Sequence, residues 1–317
     1  MEYENFIEDS LKEVNLERSE IDLQHSFLFI CGGLVKSVSD MGNHPSLRSW
    51  IVDYSSSSYK FHDRIVLAEK YKNYFDVYDD LLKFEEDIAL FCSLIIVFLE
   101  SAGSLVEFGM FCSSEKIRKK LLVIASIEDT ENDDSFICLG PLKYLIKKNQ
   151  ESVAYYPKFF IHKEYNKDDL NEICKFIEKR FLSSQKYMKY DLSNKGNIFY
   201  LIYEIINLFF PVMGSEIKCI LENVLIKNEI DSDFIERAIF ILKIFDFIES
   251  KKYGNYTFYY PLSDEKLIVK FHSNQKGGYQ PSTVKASKAK YFHENKDHEL
   301  TKKRVAALRI WMEKRYG

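Results

Sequence analysis

Residues 94–111, LIIVFLESAGSLVEFGMF, decide how the first half of this chain is read. An apolar run of strand length stops at Glu100, crosses the small residues of 101–104, and continues into a stretch that carries Glu107. A short, continuous apolar run bounded by turn residues suits a strand buried on both faces, as in a parallel sheet. The stretch after it suits a helix, with Glu107 expected in the first turn near the positive end of the helix dipole. Two readings stand: a core strand with a decorated loop, or a catalytic edge.

Working outward, the same alternation recurs. HSFLFICGG (25–33) reads as a strand ended by Gly32 and Gly33, and a glycine turn after a strand lets the backbone and its amides approach a ligand. MGNHPSLRSWIVDYSSS (41–57) follows, where Asn43 or Ser46 caps a helix carrying Leu47, Trp50 and Ile51. FHDRIVLAEKY (61–71) and KKLLVIAS (119–126) read as further short strands, and YDDLLKFEEDIALFC (78–92) as a helix. SFICLGPLKYLIKKN (135–149) reads as a helix after a polar loop at 128–134, SVAYYP (152–157) as an edge strand, and the segment after Asp168 as a closing helix. The predicted fold is therefore α/β, a Rossmann-like (flavodoxin-like) parallel sheet with helices on both faces. Residues 1–23 read as a short helix, with Phe6, Leu11 and Val14 on one side, leading into the first strand.

The alternation stops near residue 185. From Ile198 the pattern is helix, helix, helix, and then DFIESKKYGNYTFYY (246–260), a hairpin with Gly254 and Asn255 near its turn. Three helices and a hairpin follow the order of a mainly helical winged-helix domain; a small helical docking domain fits the same pattern. Residues 273–288 read as a linker and 299–317 as a basic amphipathic helix. The expected boundaries are 1–185, 186–270 and 271–317.

Composition narrows the function classes. With 317 residues, 46% hydrophobic and 15% aromatic, the chain can bury a sizeable core and is not of disordered type. Its acidic start lacks a secretory pattern, and the longest apolar run is too short to span a bilayer, so a cytoplasmic location without membrane contact is expected. Six cysteines without C-x-x-C or metal-type spacing read as reduced, buried thiols, with no zinc site. Residues 271–317 hold eleven Lys or Arg against four acids, about +7, while the rest of the chain is about −11 within a net charge of −4. Such polarity can attract a polyanion to one end.

At the C-terminal ends of parallel strands lies the crevice where α/β proteins bind ligands. Ser101, Gly103 and Ser104 can offer amides and hydroxyls there. Glu100 and Glu107 form a carboxylate pair of the kind that breaks glycosidic bonds, one attacking or stabilising C1′ and the other handling a proton. Capping alone would explain a glutamate at a helix start equally well.

FICGG (29–33), NHPSLR (43–48), LLKFEEDIA (81–89), IIVFLESAGSLVEFG (95–109), KKLLVIAS (119–126) and FICLGPLKYL (136–145) together resemble the nucleoside 2-deoxyribosyltransferase-like effectors of bacterial retron anti-phage systems, which join such a domain to a C-terminal winged-helix DNA-binding domain. The resemblance covers roughly the first half of the chain. It implies an N-glycosidase with Glu107 as nucleophile and Glu100 positioning the sugar or proton, although strict deoxyribosyltransferases more often carry Asp there. It further implies that Gly32 and Gly33 line the base or phosphate end, and that Asn43, His44 and Arg48 contact phosphate or ribose, with a capping role open for His44. Glu69 is an acid after the second strand, and Glu85 either lines the pocket or is helix surface. The implied substrate is NAD+ or a related nucleotide, with no cofactor or metal. The implied partners are a reverse transcriptase and its branched RNA–DNA product (msDNA), met by the C-terminal domain and basic tail, with higher-order assembly open. Two other functions remain: a deoxyribosyltransferase or nucleoside hydrolase acting on deoxynucleosides, and a non-catalytic DNA-binding regulator.

Overall fold

A computed structural model of the chain describes all residues except 1–2, 36–43, 57, 131–133, 160–164, 185, 263–266, 275–276 and 317. The chain divides into two compact units, one of Leu23–Phe75 and Asp80–Lys186, the other of Met1–Asp22, Asp76–Asp79 and Tyr187–Gly317. Among the described residues no helix is long and apolar enough to cross a membrane.

The chain starts in the second of these units with α1 (Tyr3–Leu11) and β1 (Val14–Asp22), then enters the α/β unit. There it runs β2 (Leu28–Cys31), α2 (Leu47–Ser55), β3 (Ile65–Val66), α3 (Leu81–Phe91), β4 (Leu94–Phe98), α4 (Ala102–Ser113), α5 (Glu115–Arg118) and β5 (Leu121–Ser126). It continues through α6 (Ile127–Thr130), α7 (Lys143–Lys148), β6 (Val153–Tyr156) and α8 (Lys167–Ser184). The five strands form one parallel sheet in the order β3-β2-β4-β5-β6. Counting within this sheet, that is the doubly wound order 2-1-3-4-5 of flavodoxin-like folds, whose direction reverses between the first and third strands.

Every residue of β4 is buried because helices cover both faces of the sheet. Ile30, Ile96 and Leu122 turn to a core that they share with Leu47 and Ile51 of α2 and Leu170, Ile173 and Ile177 of α8. Phe29 turns the other way and meets Phe111 of α4 edge to face, ring centroids 6.0 Å apart. The period of two along a strand thus assigns alternate side chains to two separate helical layers.

The second unit resumes with β7 (Tyr187–Lys189), α9 (Lys195–Phe209), α10 (Gly214–Ile220) and α11 (Ser232–Ile244). It ends with β8 (Ile248–Tyr253), β9 (Tyr256–Pro261), β10 (Val269–Ser273), α12 (Pro281–Glu294) and α13 (Glu299–Tyr316). The expected hairpin is present: β8 and β9 pair antiparallel from Ile248 and Pro261 to Tyr253 and Tyr256, with Gly254 at φ +59° in the turn, a left-handed conformation that favours glycine.

Three elements differ from the sequence reading. The first helix stops at Leu11, and residues 14–22 form the middle strand of an antiparallel sheet, β10-β1-β7, so residues 1–22 pack with the C-terminal unit instead of leading the first domain. A register shift between Asn15 and Glu20 breaks the simple alternation of apolar and polar positions that would have revealed a strand. Within the expected linker at 273–288, Ser273 ends β10 and residues 281–288 belong to α12, which opens with Pro281 and buries Val284, Lys288, Tyr291 and Phe292.

Candidate active site

The turn after β2 brings Gly32 and Gly33 against Glu100, which follows β4 across the switch point. Glu100 Oε1 accepts from the Gly33 amide (3.0 Å) and the Arg48 amide (3.1 Å), and Oε2 accepts from the Leu47 amide (2.7 Å). Leu47 and Arg48 open α2 behind the N-cap Ser46, so this carboxylate satisfies helix amides that would otherwise lack partners. Burial raises its pKa, and the three amides oppose that shift. Both oxygens are occupied, which suits holding the Gly33 turn against α2 better than carrying a proton. The approach is close: a Cβ on Gly33 would lie 2.7 Å from the Ser46 Cβ, and one on Gly32 3.0 Å from Glu100 Oε1.

Ser101 and Ser104 form a reciprocal capping box on α4, each side chain accepting from the other's amide at 3.1 Å. Gly103 is exposed beside them. Because α4 begins at Ala102, Glu107 falls in its second turn and not, as expected, in the first. His44 lies against Trp50, ring centroids 4.0 Å apart, with Nδ1 3.0 Å from Ser49 Oγ and Nε2 3.4 Å from Asp53. These contacts are with α2 itself. Asn43 lies outside the described residues.

Arg48 joins the turn to a cluster of acids. Its Nη1 donates to the Gly33 carbonyl (3.1 Å), its Nη2 lies 2.9 Å from both oxygens of Glu69, and its buried Nε has no partner. Glu107 is half-buried, with the Cys31 thiol lowering its pKa, and its Oε2 is buried without a hydrogen-bond partner. The strand and helix explain the meeting. Phe29 and Phe111 pack together, so Cys31, two residues on along β2, and Glu107, one turn earlier in α4, fall on the same side.

Glu85 completes the group. It lies on the buried face of α3, and burial, reinforced by the charges of Glu107 and Glu69 and opposed by Arg48, pushes its pKa up to about 8. Burial likewise raises the pKa of Glu107, with Arg48 opposing. One guanidinium, already chelated by Glu69, cannot neutralise two more carboxylates in a partly dry site, so Glu85 keeps its proton near neutral pH while Glu107 is the better candidate to ionise. Sequence reasoning left Glu85 between pocket and surface. The usable signal was an acid on the same helix face as Ile88 and Cys92, both fully buried.

Beside the cluster, a cleft of about 700 Å³ opens at the C-terminal ends of β4 and β5, lined by Gly33, Ser46, Glu100, Ser101, Leu105 and Tyr156 among others. Gly33 belongs to both, lining the cleft and accepting from Arg48. The structure thus brings together Gly32, Gly33, Arg48, Glu69, Glu100 and Glu107, adds Cys31 and Glu85, and assigns Ser101 and Ser104 to capping.

A doubly wound α/β unit with a carboxylate cluster at its switch point is the class that this fold and site define. The chain belongs to the STM3845 retron effector protein family, whose family model matches residues 44–250. It is 29% identical over 194 residues to the candidate ribosyltransferase/DNA-binding protein of retron Ec86 of Escherichia coli, covering 55% of each chain. It is 29% identical over 126 residues to the corresponding protein of retron Ec73 of Escherichia coli, covering 40% of each. The chain spans about half or less of the length of these curated relatives in the matched regions.

Proposed function

We propose that the chain is a cytoplasmic effector toxin of retron anti-phage defence whose α/β unit is an N-glycosidase acting on NAD+ or a related nucleotide. The observation that carries this reading is the Glu107 carboxylate, buried and unpartnered on Oε2 beside Glu85 at the switch point of the sheet. Glu107 attacks C1′ as the C1′–N bond breaks, and the bonding pair departs with the base. Nicotinamide leaves a pyridinium linkage as a neutral molecule, so this step needs no proton. Water then attacks C1′, frees Glu107 and loses a proton to solvent, giving ADP-ribose. Gly32, Gly33, Arg48 and the amides at Gly103 face the nucleotide, Glu69 orients Arg48, Glu100 holds the turn, and Glu85, protonated near neutral pH, leaves Glu107 the ionised carboxylate of the pair.

Helices α9, α10 and α11 followed by the β8–β9 hairpin support a winged-helix reading of the second unit. With the basic tail it is the surface for the reverse transcriptase and msDNA, and the names of the two relatives support ribosyl transfer and DNA binding in one chain. Glu85 gives a specific reason for a second reading. A carboxyl that keeps its proton near neutral pH can protonate a departing neutral base, as a nucleoside hydrolase or deoxyribosyltransferase acting on deoxynucleosides requires.

The test is nicotinamide release from NAD+ by the full chain, alone and with its reverse transcriptase and msDNA, beside Glu107→Gln. Release lost in the variant supports the first reading. Cleavage of deoxynucleosides, or sugar transfer to an added base, moves the assignment to the second. No turnover of either class leaves a DNA-binding regulator.

A further inference from the structure

At the edge of the sheet opposite the site, two segments distant in sequence converge. Arg118 and Lys119 come just before β5, and Lys148 and Asn149 come shortly before β6; both strands are parallel, so this edge is the N-terminal one. Gly33, Glu100 and Glu107 follow the C-terminal ends. Across the length of β5 the two edges are about 20 Å apart at ~3.3 Å per residue. A pocket of about 310 Å³ lies here, lined by Arg118, Lys119, Tyr144, Lys148 and Asn149 among others.

The cations are organised. The Arg118 guanidinium lies over the Tyr144 ring at 4.6 Å and donates through Nη1 to the Cys112 carbonyl at 2.8 Å, which fixes it at the rim. Lys148 Nζ lies 5.9 Å from the same ring, which is itself exposed. Lys119 is paired with Glu115 at 2.8 Å. Among the described residues, Arg118, Lys147 and Lys148 make no ion pair. Such a concentration stands out because residues 1–270 carry about −11 overall. Unneutralised cations from two segments, gathered around an exposed aromatic ring in a concave surface, match a chain of phosphates with bases able to stack.

We propose that this face of the α/β unit, centred on Arg118, Tyr144 and Lys148, binds the phosphodiester backbone of a nucleic acid, leaving the catalytic cleft on the opposite edge open. It is a contact separate from the C-terminal basic tail, and it does not depend on the reading of the catalytic site.

The experiment measures binding of labelled DNA, RNA and an RNA–DNA hybrid to the full chain by fluorescence anisotropy across a salt series. The variant combines Lys119→Glu, Lys147→Glu and Lys148→Glu, three exposed positions, with Tyr144→Ala prepared separately and Lys302→Glu with Lys314→Glu as the tail control. The expected result is a loss of about tenfold or more in affinity for the triple variant, with a shallower dependence of log K on log salt by about two, since each phosphate contact contributes roughly 0.7–0.9 to that slope. Tyr144→Ala weakens single strands more than duplex, and both variants keep the wild-type melting temperature. Unchanged affinity and slope in the triple variant, with the tail variant alone losing binding, would overturn the proposal. So would competition by ATP or polyglutamate as effective as that of unlabelled nucleic acid at equal charge.

Discussion

Glu100 and Glu107 flank the same small-residue turn, yet their surroundings give them different work. Three amides hold Glu100, whereas one oxygen of Glu107 is buried without a partner. On the proposed glycosidase reading, Glu107→Gln is expected to lower turnover by about three orders of magnitude or more while the melting temperature stays near wild type. Glu100→Gln replaces one of the two accepting oxygens by an NH2 that can only donate, so either the Leu47 amide or the Gly33 and Arg48 pair loses its acceptor. It is expected to cost about 1–3 kcal/mol in denaturant unfolding and to affect turnover only through the loosened turn. For Glu85 the sign follows from burial beside Glu107. Its folded pKa, about 8, lies above the ordinary value of 4.5, so its contribution to stability is complete below pH 4.5 and is lost as pH rises through about 8. A pH series of unfolding midpoints checks this: wild type should decline across that window, and Glu85→Gln should decline less. That both glutamates flank the end of a buried strand was legible in the sequence. Their division of labour was not, because the amides that hold Glu100 come from residues 33, 47 and 48, distant in the chain.

Among the elements, the buried strands were the most legible, since β2, β4 and β5 are runs of Leu, Ile, Val and Phe that only a doubly covered sheet accommodates. The start of α2 was legible through its cap, Ser46, which accepts from the Ser49 amide at 2.9 Å; α3, read from residue 78, begins only after Asp80, which accepts from the Lys83 amide at 2.8 Å. The start of α4 differs from the reading that puts Glu107 in the first turn, because the reciprocal geometry of Ser101 and Ser104 makes Ser101 the N-cap. Ser101→Ala is expected to destabilise the α/β unit by about 1 kcal/mol in chemical denaturation. At the other end of α3, Lys120 donates to the carbonyls of Leu90 (2.7 Å) and Cys92 (2.8 Å), and burial lowers its pKa to about 8. A lysine in the series KIRKK gave no sign that one member turns inward, because that depends on which carbonyls the neighbouring helix leaves open.

At the scale of the whole molecule, the ends of the chain are brought together within one unit. Arg304 of α13 is fully buried, pairs with Glu216 of α10, donates to the Pro211 carbonyl at 2.7 Å and lies 4.5 Å from the ring of Tyr3 in α1. Arg304→Ala would leave Glu216 buried and uncompensated. The expected loss is about 3–5 kcal/mol, read as a lower unfolding midpoint of that unit. The sequence by itself determined the five parallel strands, the helical run and hairpin that follow, and the acids and glycines that gather at the switch point, because apolar periodicity and turn chemistry are local. Only the tertiary structure decided that residues 14–22 join β7 and β10, that 281–294 is a helix, and that Glu85 and Cys31 stand beside Glu107. Each of these rests on partners distant in sequence, and a strand with irregular alternation or a helix with a mixed face becomes stable only when such partners cover it.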